Sequence, residues 1–437
     1  TQYNLDIHDI GLVWAAGPLA GILGQVIIGI ISDKVWFWNG RRRPFILIGG
    51  VLSTLMLLAL PNLHIISAGM GVNGILGIAI AVALSLVLSI NVSFNPTRSI
   101  IADVTDAGEE RTKGYTWMQS ISGTFGVLAY AIGAFWDNYV LIYGGAVIVL
   151  LFSIVPTLFI TEPREISAVS SDVESDNTQA KDRENSILNM LIAIRPLWGF
   201  LVYDIYAMGR RLAGIEVDNY NAEIICGVIT LILLVQTMLE TSKNKQDGLT
   251  GFRKVIAAHS FSWVGIQSTF VFLVVFLQQQ FPDLSDIEMG RVGSMSLMIL
   301  SAVGALLPAT VLMPLARRIG TIRTHVICMA FMTAGYAGLY LFGTSPTSIY
   351  MLIAVVGIGW AALVSLPFAI VSEKISQSRM GLFMGLFNLS VVLPQLVVSL
   401  GVALMVSNAP DKSVIFAIAA ISTALSAIAW GFVRQED

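Results

Sequence analysis

Gly17-Pro18-Leu19-Ala20-Gly21-Ile22-Leu23-Gly24-Gln25-Val26-Ile27-Ile28-Gly29-Ile30-Ile31 is an apolar run that ends in Ser32-Asp33-Lys34. A short segment follows, then Gly40-Arg41-Arg42-Arg43-Pro44 opens a second apolar run. One acid at a helix end, a tight basic loop and an immediate return into hydrocarbon describe a turn on the cytoplasmic side of a bilayer, between two membrane helices. The rest of the chain repeats that alternation.

With 55% hydrophobic and only 12% charged residues, the chain cannot cover itself with an ordinary water-facing surface. Its mean hydropathy is +0.77. Apolar runs near the roughly 20 residues a helix needs to cross a bilayer recur along the sequence. They predict spans at 10–32, 44–61, 73–98, 114–136, 139–160, 254–281, 291–313, 322–343, 348–371, 380–407 and 413–433. The expected class is an all-α polytopic membrane protein. A net charge of −3 spread over loops offers no basic field for nucleic acid. Cys226 and Cys328 stand far apart without metal-ligand spacing and read as small apolar fillers. No metal site, no cofactor and no enzyme chemistry is expected, because no nucleophile with a base and no paired carboxylates stand at a span centre.

Three regions organise the chain: an N-terminal helix bundle over 1–160, a central linker over 161–253 and a C-terminal six-helix bundle over 254–437. The linker is polar and acidic from Ser170 to Asn185, which predicts flexibility. It also holds two weaker apolar stretches, 187–207 and 222–240, the first carrying Arg195 and Asp204 and the turn carrying Arg210 and Arg211. These either cross as a hairpin, the favoured reading, or lie along the interface. Lys34 with Arg41 to Arg43, Arg111 with Lys113, Arg164, Lys181 with Arg183, Arg317 with Arg318 and Arg323, Lys374 with Arg379, and Arg434 fall on alternate loops, which makes that side cytoplasmic. A full span, 254–281, precedes the one ending in Arg317-Arg318, whereas only Thr1 to Asp9 precede the span ending in Asp33. If the halves are repeats of six, the first helix of the first half is expected to be missing from this chain; the alternative is a chain that begins outside the cell.

Polar residues inside the spans are the candidate site. Asn91, Asn95 and Arg98 recur at i, i+4 and i+7, so they share a helix face, and Asp103 follows a turn and a half later. Such a stripe faces either a cavity or a neighbouring helix. Arg98, with its planar donor fork, suits hydroxyls or a carboxylate. Asn388 and Gln395 share a face beside Pro394 and offer both donors and acceptors, as a polyhydroxyl ligand needs. Trp263 and Gln267, at i and i+4, pair an aromatic face with an amide, although a Trp is also a common core or interface residue. Gln25 and Gln119 are cavity residues or interhelical ties, and Trp360 is a weaker candidate. Asp33 reads either as a solvated helix-end charge or as a carboxylate that accepts N–H groups from another helix start, and Gly29, Gly40 and Arg41 to Arg43 around it favour a gate. Asp33, Asp103, Asp137, Glu162 and Glu373 all sit at helix ends, so His259 is the one group in an apolar run that titrates near neutrality, apart from the more peripheral His325.

These motifs resemble the sucrose transporter family of the major facilitator superfamily and its bacterial sugar-carrier relatives, of the glycoside-pentoside-hexuronide:cation symporter type. The resemblance rests on Gly17-Pro18 with Gly21, Gln25 and Gly29, on Ser32-Asp33-Lys34 with Gly40 to Phe45, and on Asn91, Pro96, Arg98, Ala102 and Asp103. The second half adds Gly357 to Ala361 with Ser365, Pro367 and Phe368, then Gly381 to Gly385, Asn388, Pro394 and Gln395. It implies a twelve-helix monomeric carrier in the cell membrane that moves a disaccharide or related glucoside with protons by alternating access. It also implies that Arg98 is needed for transport and that Asp33, Arg41, Arg42, Arg43 and Asp103 form the cytoplasmic gate. In the family an Asp that takes the proton stands nine residues before the proline matching Pro96, where this chain has Val87. An uncoupled sugar facilitator and a non-transporting receptor or scaffold therefore stand as alternatives.

Overall fold

The computed structural model describes residues 21, 24–71, 75–135, 138–164, 187–215, 219–241, 248–375 and 377–434. Residues 1–9, residues 10–20 of the first expected span, Asp137 and the acidic stretch 170–185 lie outside the described residues. Among the described residues the secondary structure is helical apart from one isolated antiparallel bridge between Phe37 and Gly40.

In chain order, α1 covers residues 24–34. It is followed by α2 (Arg43–Ala59), α3 (Leu63–Met70), α4 (Ile75–Val104), α5 (Glu109–Phe135) and α6 (Asn138–Phe159). Next come α7 (Ile187–Ala193), α8 (Trp198–Leu212) and α9 (Asn221–Leu239). Then follow α10 (Gly248–Gln280), α11 (Asp286–Leu307), α12 (Met313–Ile319), α13 (Thr321–Phe342), α14 (Pro346–Leu363) and α15 (Leu366–Lys374). The last are α16 (Met380–Val397), α17 (Ala403–Asn408) and α18 (Val414–Trp430). Nine described stretches, Arg43–Gly69 and Asn221–Leu239 among them, are long and apolar enough to cross a membrane. α5 is long enough as well, but Glu109, Glu110, Arg111, Lys113 and Gln119 leave it more polar than those nine.

Local chemistry sets several of the turns and helix ends. The α1–α2 connection reverses on Trp38 and Asn39, both with positive φ (48° and 59°), while Phe37 and Gly40 exchange two backbone hydrogen bonds. That is the backbone of a tight mirror-image turn, and it is uncommon for a residue as bulky as Trp. Ser285 with Glu288 and Ser345 with Ser348 form reciprocal caps at the starts of α11 and α14.

Three expected spans depart from simple helices. The span predicted at 291–313 runs on to Ile319 through a π segment, Pro308–Leu312, and the one at 380–407 carries a second, Val398–Val402. The span at 348–371 breaks at Val364 and Ser365, where Pro367, in the first turn of the next helix, has no N–H to give to the Leu363 carbonyl.

Contacts divide the chain into two compact units. Unit 1 comprises Thr1–Asp106, Phe125–Ile166 and Ser376–Asn388, and unit 2 comprises Ala107–Thr124, Ser167–Ile375 and Leu389–Asp437. In unit 1, α2 packs between α4 and α6. Gly50 lets it approach α6, since an added Cβ would lie 2.2 Å from that of Ser153. In unit 2, α18 packs against both α10 and α13, α13 against α14 and α14 against α11, around a core that includes Phe276, Phe416, Met332 and Tyr336.

The two weaker stretches of the linker pack against each other as α8 and α9 within unit 2. At one end Arg195 and Arg253 share Glu240, which ties the pair to the start of α10. At the other end Asn408, the last residue of α17, donates to the Tyr220 hydroxyl at 2.8 Å. The pair therefore runs beside the membrane helices from one end to the other.

Candidate functional site

Arg42 organises the first cluster. Its side chain is fully buried, with Nη2 2.6 Å from Asp33 Oδ1, Nε 3.0 Å from Asp103 Oδ2 and Nη1 2.5 Å from Ser32 Oγ. Arg41 adds a second contact to Asp103 Oδ2 at 2.8 Å. Two acids and two bases thus compensate one another around the buried Arg42 and Asp103, which is the condition under which buried charge is tolerated. Arg43, expected in the same group, turns away instead and donates to the carbonyls of Thr157 and Leu158 at the end of α6. The carbonyl end of a helix attracts a cation.

Asp33 does more than pair with Arg42. Its Oδ1 accepts the Gly381 N–H at 3.0 Å and its Oδ2 the Leu382 N–H at 2.8 Å. These are first-turn donors of α16, which have no partner within their own helix. The approach needs glycine on both sides: a Cβ on Gly29 would come within 2.3 Å of the Gly381 carbonyl oxygen, and one on Gly381 within 2.6 Å of the Gly29 oxygen. The carboxylate of Glu162 accepts the N–H groups of Arg41, Arg42 and Arg43 at 2.8, 2.9 and 2.7 Å, so it caps the start of α2 from a distant segment. From the sequence Glu162 is only one more helix-end acid. Its signal, legible afterwards, is its place on the same side as the arginine run.

Along α4 the amides join this cluster. Gln25 Nε2 donates to Asn91 Oδ1 at 2.6 Å, and Asn91 Nδ2 to the Val87 carbonyl at 2.8 Å. Asn95 Nδ2 bridges the carbonyls of Gln25 and Gly381 at 2.7 and 2.9 Å, while its Oδ1 accepts from Ser99. Asn91 and Asn95 therefore tie α1, α4 and α16 together. Arg98 is half-buried and its guanidinium lies over the Phe94 ring, 5.3 Å from the centroid. Asn388 is buried with Nδ2 lacking a hydrogen-bond partner, and Gln395, two turns further on, is half-buried.

A second cluster lies in unit 2. Trp263 Nε1 donates to His259 Nε2 at 2.9 Å, so that nitrogen carries a lone pair and not a proton in this state. The Trp263 and Phe270 rings both meet Trp360 edge to face, at centroid distances of 5.9 and 5.5 Å. Trp360 packs on Gly304, where an added Cβ would lie 2.8 Å from its Cδ1. Trp263, Gln267 and Phe270 recur at i, i+4 and i+7, so a half-buried amide stands between aromatic rings on one face of α10. Trp360, the weaker candidate, is thus part of this cluster. Among the described residues no group of three or more His, Cys, Asp or Glu could hold a metal ion.

The Major Facilitator Superfamily profile matches residues 1–399. The chain belongs to that superfamily, whose members are multi-pass, non-enzymatic carriers. Among similar proteins, the general alpha-glucoside permease of Schizosaccharomyces pombe is 33% identical over 128 residues, 28% of this chain and 23% of that one. Sucrose transport protein SUC4 of Arabidopsis thaliana is 22% identical over an alignment covering 89% of this chain and 76% of that protein. The structure of the proton:xylose symporter XylE bound to 6-bromo-6-deoxy-D-glucose superposes with a TM-score of 0.62 at 14% identity, covering 99% of this chain and 88% of XylE. At that identity the likeness concerns the fold.

Proposed function

We propose that this carrier moves a disaccharide or related glucoside by alternating access, with protons as the coupling ion. The observation that carries the carrier reading is the Asp33 carboxylate seated on the first-turn amides of α16 and held there by a buried Arg42. A contact made of two charge-assisted hydrogen bonds and one ion pair is strong when closed and separable as a unit, as a gate requires. The sugar class is supported by the similarity to sucrose transport proteins over most of the chain and by the ring–amide–ring face at Trp263, Gln267 and Phe270. In this reading Asn388 and Gln395 supply further amide donors, and Arg98 a guanidinium beside the path.

Two groups support coupling in this reading. Protonation of His259 Nε2 competes with the Trp263 indole for the same lone pair and would release the ring. Asp204, on the inner face of α8, is 4% exposed and neither carboxyl oxygen has a hydrogen-bond partner. An acid so placed in a membrane protein is a functional candidate by default. We assign the chain to the cell membrane as a monomer, with helix bundles over 1–160 and 254–437 joined by the 161–253 segment.

The test is uptake of labelled sucrose and maltose into proteoliposomes with internal pH recorded. Sugar entry with acidification supports the proposal. Entry without a pH change favours the facilitator reading that Val87 motivates, and absence of entry for any disaccharide removes the sugar assignment.

A further inference from the structure

Unit 2 contains a cavity of about 290 Å³ between α8, α9, α10, the π segment Val398–Val402 and α18, apart from the two clusters above. Its wall is almost wholly apolar, with Phe200, Phe261, Val402 and Leu425 among the lining side chains. The lining hydroxyl of Thr230 is spent on the Cys226 carbonyl at 2.7 Å. The Tyr203 hydroxyl, also at the wall, donates to Glu223 Oε1 at 2.8 Å. Among the described residues of the lining, Glu223 is thus the one carboxylate, and no Lys or Arg joins it.

The mouth shows what the cavity meets. Gly227, Leu231 and Met405 line it and are themselves exposed, so it opens on the outer side of α9. That side carries Ile224, Ile225, Val228, Ile232 and Val235, all exposed, on a helix apolar and long enough to cross the bilayer. The surrounding solvent there is lipid. Glu223 stands in the first turn of α9, one turn from the Tyr220 contact with Asn408 that marks the end of the helical layer. An acid at the level of the headgroups stands over an apolar slot leading inward.

We propose that this cavity is a binding site for one chain of a bilayer lipid whose headgroup carries an amine, of the phosphatidylethanolamine class, with the ammonium on Glu223. The apolar wall takes the hydrocarbon, and the lone carboxylate selects a headgroup that donates and disfavours one that is only anionic. The lipid would brace the α8–α9 pair against α10 and α18, a role independent of the cargo.

The full chain is purified in detergent and titrated with 1-palmitoyl-2-oleoyl phosphatidylethanolamine or with the phosphatidylglycerol of the same chains, and bound lipid is read by native mass spectrometry. One ethanolamine lipid is expected to bind with a preference of about tenfold, as one charge-assisted contact provides. A Cβ on Gly227 would meet nothing within 4 Å, so Gly227→Phe fills the slot without displacing the backbone and is expected to abolish binding. Glu223→Gln keeps a partner for Tyr203 and is expected to bring the two lipids to parity. Cys226 lines the same cavity and supplies a second measurement in a Cys328→Ser background: the ethanolamine lipid should slow its alkylation by N-phenylmaleimide. Binding unaffected by Gly227→Phe, equal binding of both lipids to the unsubstituted protein, displacement of the lipid by sucrose, or an alkylation rate indifferent to lipid would each overturn the assignment.

Discussion

The arginine cluster at the start of α2 and the aromatic face of α10 are both polar insertions into an apolar protein, yet they are built on opposite terms. Around Arg42 the ionic groups face one another: guanidinium to two carboxylates, carboxylate to two backbone amides, with the Arg42 side chain closed to solvent. Around Trp263 the indole, the Gln267 amide and Trp360 are half-buried, and Trp263 donates a neutral hydrogen bond to His259. Charge that is internally compensated holds segments in register. Amides and ring faces left partly open are available to something else. A carrier needs both, and in the proposed function the first region holds while the second meets the cargo.

The largest expected effect tests the first term. Arg42→Leu leaves the Asp33 carboxylate without its base and Asp103 with Arg41 alone, and should cost about 3–5 kcal/mol, read as a loss of folded yield and a lowered thermal midpoint. Arg43→Leu, which removes only carbonyl contacts and a surface charge, should cost well under half of that, and equal losses would show that the two arginines are not divided as described. Asp33→Asn keeps one acceptor for the α16 amides but removes the charge, so a loss of about 1.5–3 kcal/mol is expected. The readout is faster alkylation of a cysteine placed at Ser99, whose buried hydroxyl meets Asn95 beside the Gly381 contact. Gly29→Ala forces a methyl against the Gly381 carbonyl and should lower stability by about 1–3 kcal/mol, whereas Gly77→Ala, where an added Cβ meets nothing within 4 Å, should not. Trp263→Phe should change stability least, by roughly 0.5–1.5 kcal/mol for one hydrogen bond. It should nevertheless raise the KM for sugar uptake, and an unchanged KM would remove α10 from the cargo path.

Two of the sequence expectations show where local reading stops. The Asn91, Asn95 and Arg98 stripe is one face by spacing, but the structure divides it: both asparagines are engaged with Gln25 or Gly381, and Arg98 turns back over Phe94. The Arg41 to Arg43 run is one patch by adjacency, but its third member caps α6. Helical periodicity specifies which residues point the same way, not what stands opposite them.

From the residues alone came the membrane class, the spans, the loop charge asymmetry and the suspicion that Asp33 sits on another helix start. Each depends on run length, composition or a motif within a few dozen residues, which is the range over which hydrocarbon thickness and helix geometry act directly. Tertiary structure alone decided that Leu382, 349 positions away, is the helix start in question, that Glu162 holds three consecutive arginine amides, and that the pair α8–α9 runs along unit 2 and encloses a slot. Those partners are chosen by which helices close packing brings together, and buried polar groups then take whichever compensating atom that packing supplies.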